Sequence, residues 1–345
     1  MVAAPLDTLS FFDATAGLPE QVEAAASAAD AVSGLPPLED LENVLVLGMG
    51  GSGIAGDLLA AVAGPFMPVP VIVSKGYEPP SFVSEATLCF ALSFSGDTEE
   101  TVEAASTAAV AGARMVVMAR GGELGRLADS WNAPFIPLPD GIPMPRVGLG
   151  AMAVPALAVL ERIGLFPGAR GWIGRAVDQL KRRRDELVKD ANPARELARR
   201  IGRTLPMVWG GGEIGGVAAL RWRNQINENA KAPAFAGVLP ELTHNEICGW
   251  GQHGDVTRQV FTLLFLRHDH EHPQVARRFE IVRDLMDEIV ADIEEVRAAG
   301  DGALAQLFDL IMVGDFVSLY LAFQEGVDPG PIPVLDQIKF HLAVR

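Results

Sequence analysis

Cysteine is scarce in this chain: Cys89 and Cys248 are the only two among 345 residues. Two cysteines cannot form the framework of several disulfides that stabilises small secreted domains. Both are predicted to pack against their neighbours rather than to act as nucleophiles. Residues 1–12 contain an acid and no basic residue, so no secretory signal peptide is predicted. We therefore expect a cytoplasmic protein.

Basic residues are in the minority. Lys and Arg number 28 against 44 Asp and Glu, which gives a formal net charge of -16. Nucleic acids and anionic membranes bind basic surfaces, so neither is expected as a partner. A small anionic substrate is still compatible with this net charge, because its binding depends on the local electrostatic field of its site. The longest apolar run, 147–160, is shorter than the roughly 20 residues that span a bilayer, and it predicts a buried helix.

Glycine and apolar residues are abundant instead. The chain has 36 glycines and 49% hydrophobic residues, which is typical of a soluble α/β protein. A length of 345 residues predicts two domains, which we place at 1–165 and 166–345. A strand, glycine turn and helix at 205–227 repeat the order found at 44–63, which indicates an internal duplication. The second glycine turn lacks the serine of the first.

The segment 44–63 organises the first half. Residues 44–47 predict a buried parallel strand, 48–53 form a glycine-rich turn (GMGGSG), and 54–63 predict a helix. The first N–H groups of a helix lack partners inside it and point back into such a turn. Strand, turn and helix together predict a pocket for an anion, most often a phosphate.

Two kinds of phosphate ligand fit this turn. Residues 48–53 match the G-x-G-x-x-G fingerprint of dinucleotide-binding dehydrogenases. That fingerprint expects an acid after the second strand, to bind the ribose. The predicted second strand, 69–73, is followed by Lys75, and the first acid is Glu78. A lysine suits the 2′-phosphate of NADP, so a nucleotide-dependent dehydrogenase stays open as an alternative.

A second loop favours a sugar phosphate. Residues 88–92 predict another apolar strand, and a helix is predicted to begin at about Thr98. Between them, Ser93, Ser95 and Thr98 place three hydroxyls around one turn, where they can donate to one phosphate monoester. The simpler interpretation is that Ser95, Asp97 or Thr98 only caps the helix. Two neighbouring loops with hydroxyls and N–H groups suit a sugar phosphate better than a dinucleotide.

The remaining pattern alternates strands with helices, which predicts doubly wound parallel sheets. Ligands of such sheets bind beyond the carboxyl ends of the strands, where both loops lie. Further strands are predicted at 115–118, 135–136 and 205–209 and within 256–266. Helices are predicted at 20–32, 98–111, 123–131, 147–164, 176–189, 214–227, 274–297, 302–325 and 333–344.

Two residues of the second half are candidates for proton transfer. Glu228 lies at the predicted end of a helix, where the helix dipole disfavours a carboxylate. If partly buried there, it would have the raised pKa of a general base. A surface glutamate paired with a basic residue is the simpler interpretation. His244 lies in a polar loop (ELTHNEI, 241–247), where a structural and a functional role both stay open.

These motifs resemble a known family. Residues 48–53 and 93–98 are similar to the loops of sugar isomerase (SIS) domains. Residues 227–231 (NENAK) and 241–247 resemble the signature segments of the bifunctional phosphoglucose/phosphomannose isomerases. The resemblance extends from about residue 40 to residue 340. It implies an α/β fold of two SIS-type doubly wound parallel-sheet subdomains, with flanking helices and a C-terminal helix.

The resemblance also implies the site residues. Glu228 and His244 match the family's catalytic Glu and His. Lys339, in 336–339 (DQIK), matches the catalytic Lys of the C-terminal helix, and Arg146 matches the arginine after the first domain's last strand. The residues expected to bind the phosphate are Gly50, Gly51, Ser52, Ser93, Ser95 and Thr98.

The implied reaction is the aldose–ketose isomerisation of glucose 6-phosphate, and of mannose 6-phosphate, to fructose 6-phosphate. His244 and Lys339 would open the sugar ring. Glu228 would carry a proton between C2 and C1 through a cis-enediol(ate), while Arg146 would stabilise charge on the oxygens. No metal and no redox cofactor is implied. The resemblance further implies a homodimer in which His244 acts in the site of the partner subunit.

A second function is compatible with the same motifs. A non-catalytic SIS module would bind a sugar phosphate without turnover. The run 268–272 (HDHEH) has the residue types of a metal site, but it precedes a proline and lacks distant ligands, so we predict a solvated loop. Thr243 replaces the family's usual Asn without removing a reacting group. Asp97, Phe94 and Gly330 are departures that could tune affinity or the choice between the two epimers.

Overall fold

The structure is a computed structural model that describes residues 5–343. Residues 1–4 and the predicted end of the last helix at Val344 lie outside the described residues. The described chain forms two compact units. The first unit comprises Gly17–Arg183 with Ala298–Asp309, and the second unit comprises the other described residues. The division into sequence domains at 1–165 and 166–345 stays a prediction.

The elements follow one another with short connections. The helices are α1 (Phe11–Ala16), α2 (Leu18–Asp30), α3 (Gly50–Ala63), α4 (Glu99–Val110), α5 (Gly122–Trp131), α6 (Leu149–Ile163), α7 (Ala169–Leu187), α8 (Pro193–Ile201), α9 (Gly212–Gln225), α10 (Gly254–Val260), α11 (Pro273–Met286), α12 (Ala303–Gln324) and α13 (Pro333–Ala343). The strands are β1 (Asn43–Leu47), β2 (Val71–Ser74), β3 (Thr87–Ser93), β4 (Arg114–Ala119), β5 (Phe135–Pro137), β6 (Leu205–Gly211), β7 (Phe235–Leu239), β8 (Phe261–Arg267) and β9 (Asp292–Arg297).

The first unit contains a parallel sheet with the strand order β2-β1-β3-β4-β5. All residues of the central strand β3 are buried, as expected for a sheet covered by helices on both faces. Leu47 pairs with Ala91, and Ser93 pairs with Ala119, so β1, β3 and β4 end at one edge. The turns that follow β1 and β3 therefore lie side by side beyond that edge.

The second unit contains a second parallel sheet with the strand order β7-β6-β8-β9. The predicted doubly wound α/β fold is confirmed. Strands β7 and β9 were not predicted from the sequence, and the helix predicted at 274–297 is wrong in its last part. The helix α11 ends at Met286, and β9 pairs along β8 from Thr262–Asp292 to Arg267–Arg297.

The missed strand β9 is rich in acids (DIEEVR), which hides its strand character in the sequence. The fold pairs these acids with arginines from other elements. Arg283 donates to Glu295 at 2.6 Å, and Arg200 forms an ion pair with Glu294. An edge strand tolerates such polar residues because only one of its sides is paired with another strand.

The glycine turn after β6 repeats the order of the first glycine turn but not its chemistry. A Cβ atom at Gly210 would lie 1.9 Å from the carbonyl oxygen of Gly215. The end of β6 therefore packs backbone against backbone with the start of α9, and any side chain there would separate them. This contact gives the second glycine turn a packing role.

The helix α12 is long and apolar enough to cross a membrane by length and composition. It is the one helix among the described residues that passes this test, and its apolar stretch is wholly buried inside the structure. A buried core helix has the same length and composition as a membrane span.

His268, at the end of β8, is an exception to the predicted solvated loop at 268–272, in which Asp269, His270 and His272 are exposed as predicted. Its side chain is buried, its Nε2–H donates to the carbonyl of Gly211 at 2.8 Å, and its Nδ1 accepts the N–H of His270 at 3.2 Å. These two bonds fix a neutral imidazole. Burial lowers the pKa of His268 from 6.5; the nearby Glu271 opposes this effect, and Arg267 and His270 add to it.

We predict that His268 makes the protein less stable at mildly acidic pH. The unfolded chain binds a proton at His268 below about pH 6.5, whereas the folded chain resists that proton, so the free energy of unfolding falls as the pH drops. Urea unfolding of the wild type and of His268→Gln at pH 7.5 and 5.5 measures the effect. The wild type should lose more stability between these pH values, and equal losses would contradict the prediction.

Candidate active site

The first glycine turn leads directly into a helix. The helix α3 begins at Gly50, four residues before the predicted start, after Met49 in extended conformation. Gly50 has a φ of +52°, which favours glycine. The N–H groups of Ser52 and Gly53 donate to Met49 O at 3.0 and 3.2 Å. The N–H groups of Gly50 and Gly51 come before the first hydrogen bonds inside the helix. They can therefore donate to an anion at the N-terminus of α3.

The first turn lies in contact with the end of β3. A Cβ atom at Gly48 would lie 3.0 Å from the carbonyl oxygen of Leu92 and 3.1 Å from Cβ of Ser52. A side chain at this position would push the two loops apart by a few tenths of an ångström. The contact places the first turn beside the residues that open the second loop, so the predicted phosphate ligands of the two loops lie at the same edge of the sheet.

The second loop holds its hydroxyls in hydrogen bonds. Ser93 Oγ and Thr98 Oγ1 lie 2.8 Å apart, and Ser93 Oγ also accepts the N–H of Gly96 at 3.1 Å. Ser95 Oγ accepts the N–H of Asp97 at 3.1 Å, which leaves its own hydrogen for a ligand. Thr98 is the N-cap residue of α4, yet its side chain makes no capping bond. The simpler interpretation of this hydroxyl as a helix cap is therefore not favoured.

Asp97, in the same loop, has a local structural role. Its Oδ1 accepts the N–H of Glu123 at 2.8 Å, in the first turn of α5. A carboxylate at a helix N-terminus is stabilised by the helix dipole. This contact accounts for an acid at position 97 without any contact to a ligand.

Arg146 lies beside the first turn. It belongs to the short helical turn Pro145–Val147, and its side chain is 3% exposed. A Cβ atom at Gly51 would lie 3.4 Å from the carbonyl oxygen of Pro145. The structure therefore brings the two loops and the turn that carries Arg146 together at one edge of the first sheet.

Lys75 is the residue that would bind the 2′-phosphate in the dinucleotide alternative. Its ammonium forms an ion pair with Asp57 of α3. Its side chain runs past Gly53, where a Cβ atom would lie 3.0 Å from Lys75 Cε. This pairing holds the lysine against the helix, which does not favour its use for a nucleotide 2′-phosphate.

Glu228 lies in the second unit, in the π-helical turn Ile226–Ala230 that continues α9. Its side chain is half-buried. The residues on either side are fixed: Asn227 Oδ1 accepts the N–H of Ala234 at 2.9 Å, and Asn229 Nδ2 donates to Ser318 Oγ at 2.9 Å. The turn therefore presents Glu228 from a well-anchored backbone.

The same turn is tied to the segment before α13. Lys231 follows the turn with a φ of +54°, and its ammonium donates to the carbonyls of Asp328 and Pro329 at 2.8 and 3.0 Å. The carboxylate of Asp328 accepts the hydroxyl of Thr8 at 2.6 Å. A Cβ atom at Gly330 would lie 2.9 Å from Leu9, so this glycine has a packing role.

His244 is exposed at the end of the helical turn Glu241–His244. Thr243 Oγ1 donates to Pro240 O at 2.5 Å and accepts the Nε–H of Arg278 at 3.1 Å. The polar neighbours noted in the sequence thus hold the backbone of the turn. Arg278 is absent from the sequence predictions, because no spacing links α11 to this loop.

Two neighbours of His244 complete the turn. Asn245 Nδ2 donates to Glu241 Oε1 at 2.8 Å. Burial raises the pKa of the Glu246 carboxyl, and Trp209 opposes this effect. Cys248, predicted to pack, is exposed instead, whereas Cys89 is buried as predicted.

Lys339 lies on α13, whose described side chains are exposed. Their apolar members are Val334, Leu335, Ile338, Phe340 and Leu342, with exposures from 42% to 65%. The structure thus places Glu228, His244 and Lys339 in the second unit, each on a different element, and places the loops and Arg146 in the first unit.

The paired parallel sheets and the glycine–serine loops define an SIS-type α/β protein. A family model for the SIS domain matches residues 38–131. A model described as the bacterial phospho-glucose isomerase C-terminal SIS domain matches residues 190–342. The two halves of the chain therefore match models of the same domain type.

Relatives match nearly the whole chain. A bifunctional phosphoglucose/phosphomannose isomerase of Caldicellulosiruptor bescii is 34% identical over 336 residues, covering 96% of this chain and 98% of the relative. A protein of the same name in Aquifex aeolicus is 30% identical over 306 residues, covering 88% and 92%. The chain belongs to the bifunctional phosphoglucose/phosphomannose isomerase family. The resemblance inferred from the sequence motifs is confirmed.

A solved structure supports the fold alone. The C-terminal domain of a glucosamine-fructose-6-phosphate aminotransferase from Francisella tularensis superposes with a TM-score of 0.67 at 15% identity, covering 93% of this chain and 98% of that one. The two chains share an architecture at a level of identity that carries no information about substrate.

We predict that Asp97 contributes to stability rather than to substrate binding. Asp97→Ala removes the capping oxygen of α5 and should lower the free energy of unfolding by about 1 kcal/mol. Asp97→Asn keeps an oxygen acceptor and should lose less. Urea unfolding measures both changes. A fall in stability that is equal for the two variants would contradict the capping role.

Proposed function

We propose that this protein interconverts glucose 6-phosphate and mannose 6-phosphate with fructose 6-phosphate. Its membership of the isomerase family over nearly the whole chain carries this proposal. The geometry adds a site of the right chemistry, because hydroxyls, helix N–H groups and a buried arginine meet at one sheet edge. A sugar phosphate needs these donors for its phosphate and its oxygens.

The phosphate is proposed to lie between the first two loops. The N–H groups of Gly50 and Gly51 precede the internal hydrogen bonds of α3 and can donate to phosphate oxygens. Ser95 offers its hydroxyl hydrogen, and Ser93 and Thr98 share one hydrogen between them, so the pair can donate the other. Ser52 completes the proposed set; it is buried, and its hydroxyl donates to Met152 Sδ at 3.4 Å, a weak bond that a phosphate oxygen could replace.

The proton transfers are assigned to three side chains of the second unit. His244 and Lys339 exchange protons with the ring oxygen and the C1 oxygen, which opens the ring. Glu228 then removes the proton from C2 and returns it to C1, through a cis-enediol(ate). The sugar keeps all its atoms and electrons, so this route needs no external hydride acceptor.

Arg146 is proposed to stabilise the negative charge that develops on the oxygens of the enediolate. Its burial strengthens such an interaction, because a charge surrounded by protein is less screened than one in water. A fixed guanidinium is also suited to two neighbouring oxygens, since it donates in a planar fork.

We also propose a homodimer in which His244 acts in the site of the partner subunit. Two observations support it: His244 is exposed, and the apolar side chains of α13 are 42% to 65% exposed. Exposed apolar surface of this kind is typical of a protein interface. The cytoplasmic location and the lack of nucleic-acid or membrane partners stay predictions from composition and charge.

Replacing the proposed base tests the reaction. Glu228→Gln removes the carboxylate that moves the proton and should lower kcat at least about 10³-fold, while retaining binding of a sugar phosphate. Coupled assays with glucose 6-phosphate and mannose 6-phosphate, in the presence of EDTA, measure turnover. Calorimetry with sorbitol 6-phosphate, which has no carbonyl to isomerise, measures binding.

Glu288→Gln is the matched control, because Glu288 is an exposed glutamate of the same unit, placed between α11 and β9. It should leave kcat unchanged. A fully active Glu228→Gln would contradict the assignment of the base. Binding without turnover by the wild type would favour the non-catalytic SIS module, and activity lost only in EDTA would contradict a metal-independent route.

Mixing two inactive variants tests the dimer. In a mixture of Glu228→Gln and His244→Ala, half of the dimers contain one copy of each. If His244 acts in the partner's site, each such dimer has one intact site, and the mixture regains about one quarter of the wild-type activity. If each site takes both residues from one chain, mixing restores nothing, and that outcome would contradict the exchange.

A further inference from the structure

Arg120 follows β4 directly and lies at the edge of the first sheet that carries the candidate site. Its guanidinium lies over the ring of Phe94, with Cζ 4.1 Å from the ring centroid. Its backbone N–H donates to the carbonyl of Phe94 at 3.3 Å. Phe94 lies in the second phosphate loop, between Ser93 and Ser95, so Arg120 contacts that loop through both backbone and side chain.

The same guanidinium holds the segment that leads to Arg146. It donates to the carbonyl of Pro139 at 2.9 Å and to that of Asp140 at 3.1 Å, and it also donates to the carbonyl of Ile142. One planar side chain therefore satisfies three backbone acceptors of one segment. Without it, these carbonyls would lose their side-chain donor, and the segment 139–142 would be joined to the sheet edge only through its neighbours, as in the bond from Leu138 N–H to Ala119 O at 2.9 Å.

A second contact fixes the far side of the Arg146 turn. A Cβ atom at Gly148 would lie 3.1 Å from the ring of Phe94 and 3.2 Å from Ile142. Phe94 therefore packs against the backbone after Arg146, while Arg120 holds the backbone before it. The phosphate loop and the Arg146 turn are clamped to each other on both sides of the arginine.

We propose that Arg120 is a positioning residue that sets the location of the Arg146 guanidinium relative to the phosphate loop. This inference rests on the proposed function, because it concerns how Arg146 meets the oxygens of a bound hexose phosphate. A displacement of about 1 Å at a group that stabilises a transition state can cost on the order of 100-fold in rate. Arg120 acts through backbone, so it would affect turnover without contacting the substrate.

The chain contains a matched control at the other end of the same strand. Arg114 begins β4 and donates to the carbonyls of Glu85, Pro37 and Glu39 at 2.8, 3.1 and 2.6 Å. It therefore has the same chemistry as Arg120, one guanidinium joined to several carbonyls. It lies at the amino-terminal edge of the sheet, away from the loops that bind the phosphate.

The first experiment compares Arg120→Gln with Arg114→Gln by thermal unfolding and by isomerase kinetics. Both variants lose carbonyl contacts and should lower the Tm to a similar extent. Arg120→Gln should lower kcat at least about tenfold, whereas Arg114→Gln should change it less than about twofold. An unchanged kcat in Arg120→Gln, or equal losses of kcat in both variants, would contradict the proposal.

A double substitution tests whether Arg120 acts through Arg146. In the background of Arg146→Lys, which already misplaces the charge, Arg120→Gln should lower kcat by a smaller factor than it does in the wild type. If Arg120→Gln lowers kcat by the same factor in both backgrounds, Arg120 acts independently of Arg146, and the positioning role is overturned.

If Arg120→Gln does not fold, Arg120→Lys replaces it. An ammonium cannot both stack on Phe94 and span the carbonyls, so kcat should fall about threefold or more. A wild-type kcat in Arg120→Lys would contradict the proposal.

Wild-type activity separates the failure of this inference from the failure of the proposed function. If the wild type turns over no hexose 6-phosphate, the proposed function fails and the positioning role fails with it. If the wild type is active and Arg146→Lys impairs it, but Arg120→Gln does not, only the positioning role fails.

Discussion

The close approach of two backbones at Gly48 is the contact on which the candidate site depends. A Cβ atom there would crowd the carbonyl oxygen of Leu92 at 3.0 Å and the Cβ of Ser52 at 3.1 Å. The approach is possible because β1 and β3 are parallel neighbours that end at the same edge. It places the helix N–H groups and the loop hydroxyls at the same edge, and the segment around Arg146 packs against Gly51 of the first loop and Phe94 of the second. Each of these groups is a hydrogen-bond donor or a cation, so all of them favour the binding of an oxyanion at this edge.

This local chemistry explains how an acidic protein can bind an acidic ligand. The formal net charge of -16 is spread over the chain, and salt screens exposed charges beyond a Debye length of about 10 Å. In the proposed site the groups at the sheet edge would act at hydrogen-bond distance, where they would dominate the electrostatic potential at a phosphate. The guanidinium of Arg146 is buried, and screening by water is weak there. The net charge is therefore compatible with a sugar phosphate as the substrate.

Local patterns predicted the parts of the molecule that depend on local sequence. The strand–glycine–helix order at β1 and α3, the hydroxyls between Ser93 and Thr98, and the alternation of strands and helices are short-range features, and all are found in the structure. The acidic strand β9 was missed because its arginine partners lie in other elements. The capping role of Asp97 and the clamp formed by Arg120 join segments distant in sequence, so no spacing could reveal them. The resemblance to a family supplied Lys339 and Arg146, which residue patterns alone did not identify.

The central claim is that the two glycine–serine loops form one phosphomonoester site. A crystal structure with bound sorbitol 6-phosphate tests it most directly, because this ligand carries the phosphate and hydroxyls but cannot react. The account predicts phosphate oxygens within hydrogen-bond distance of the Ser95 hydroxyl and the N–H of Gly51. A phosphate bound at any other place on the protein, with these two loops left in contact with solvent, would contradict it.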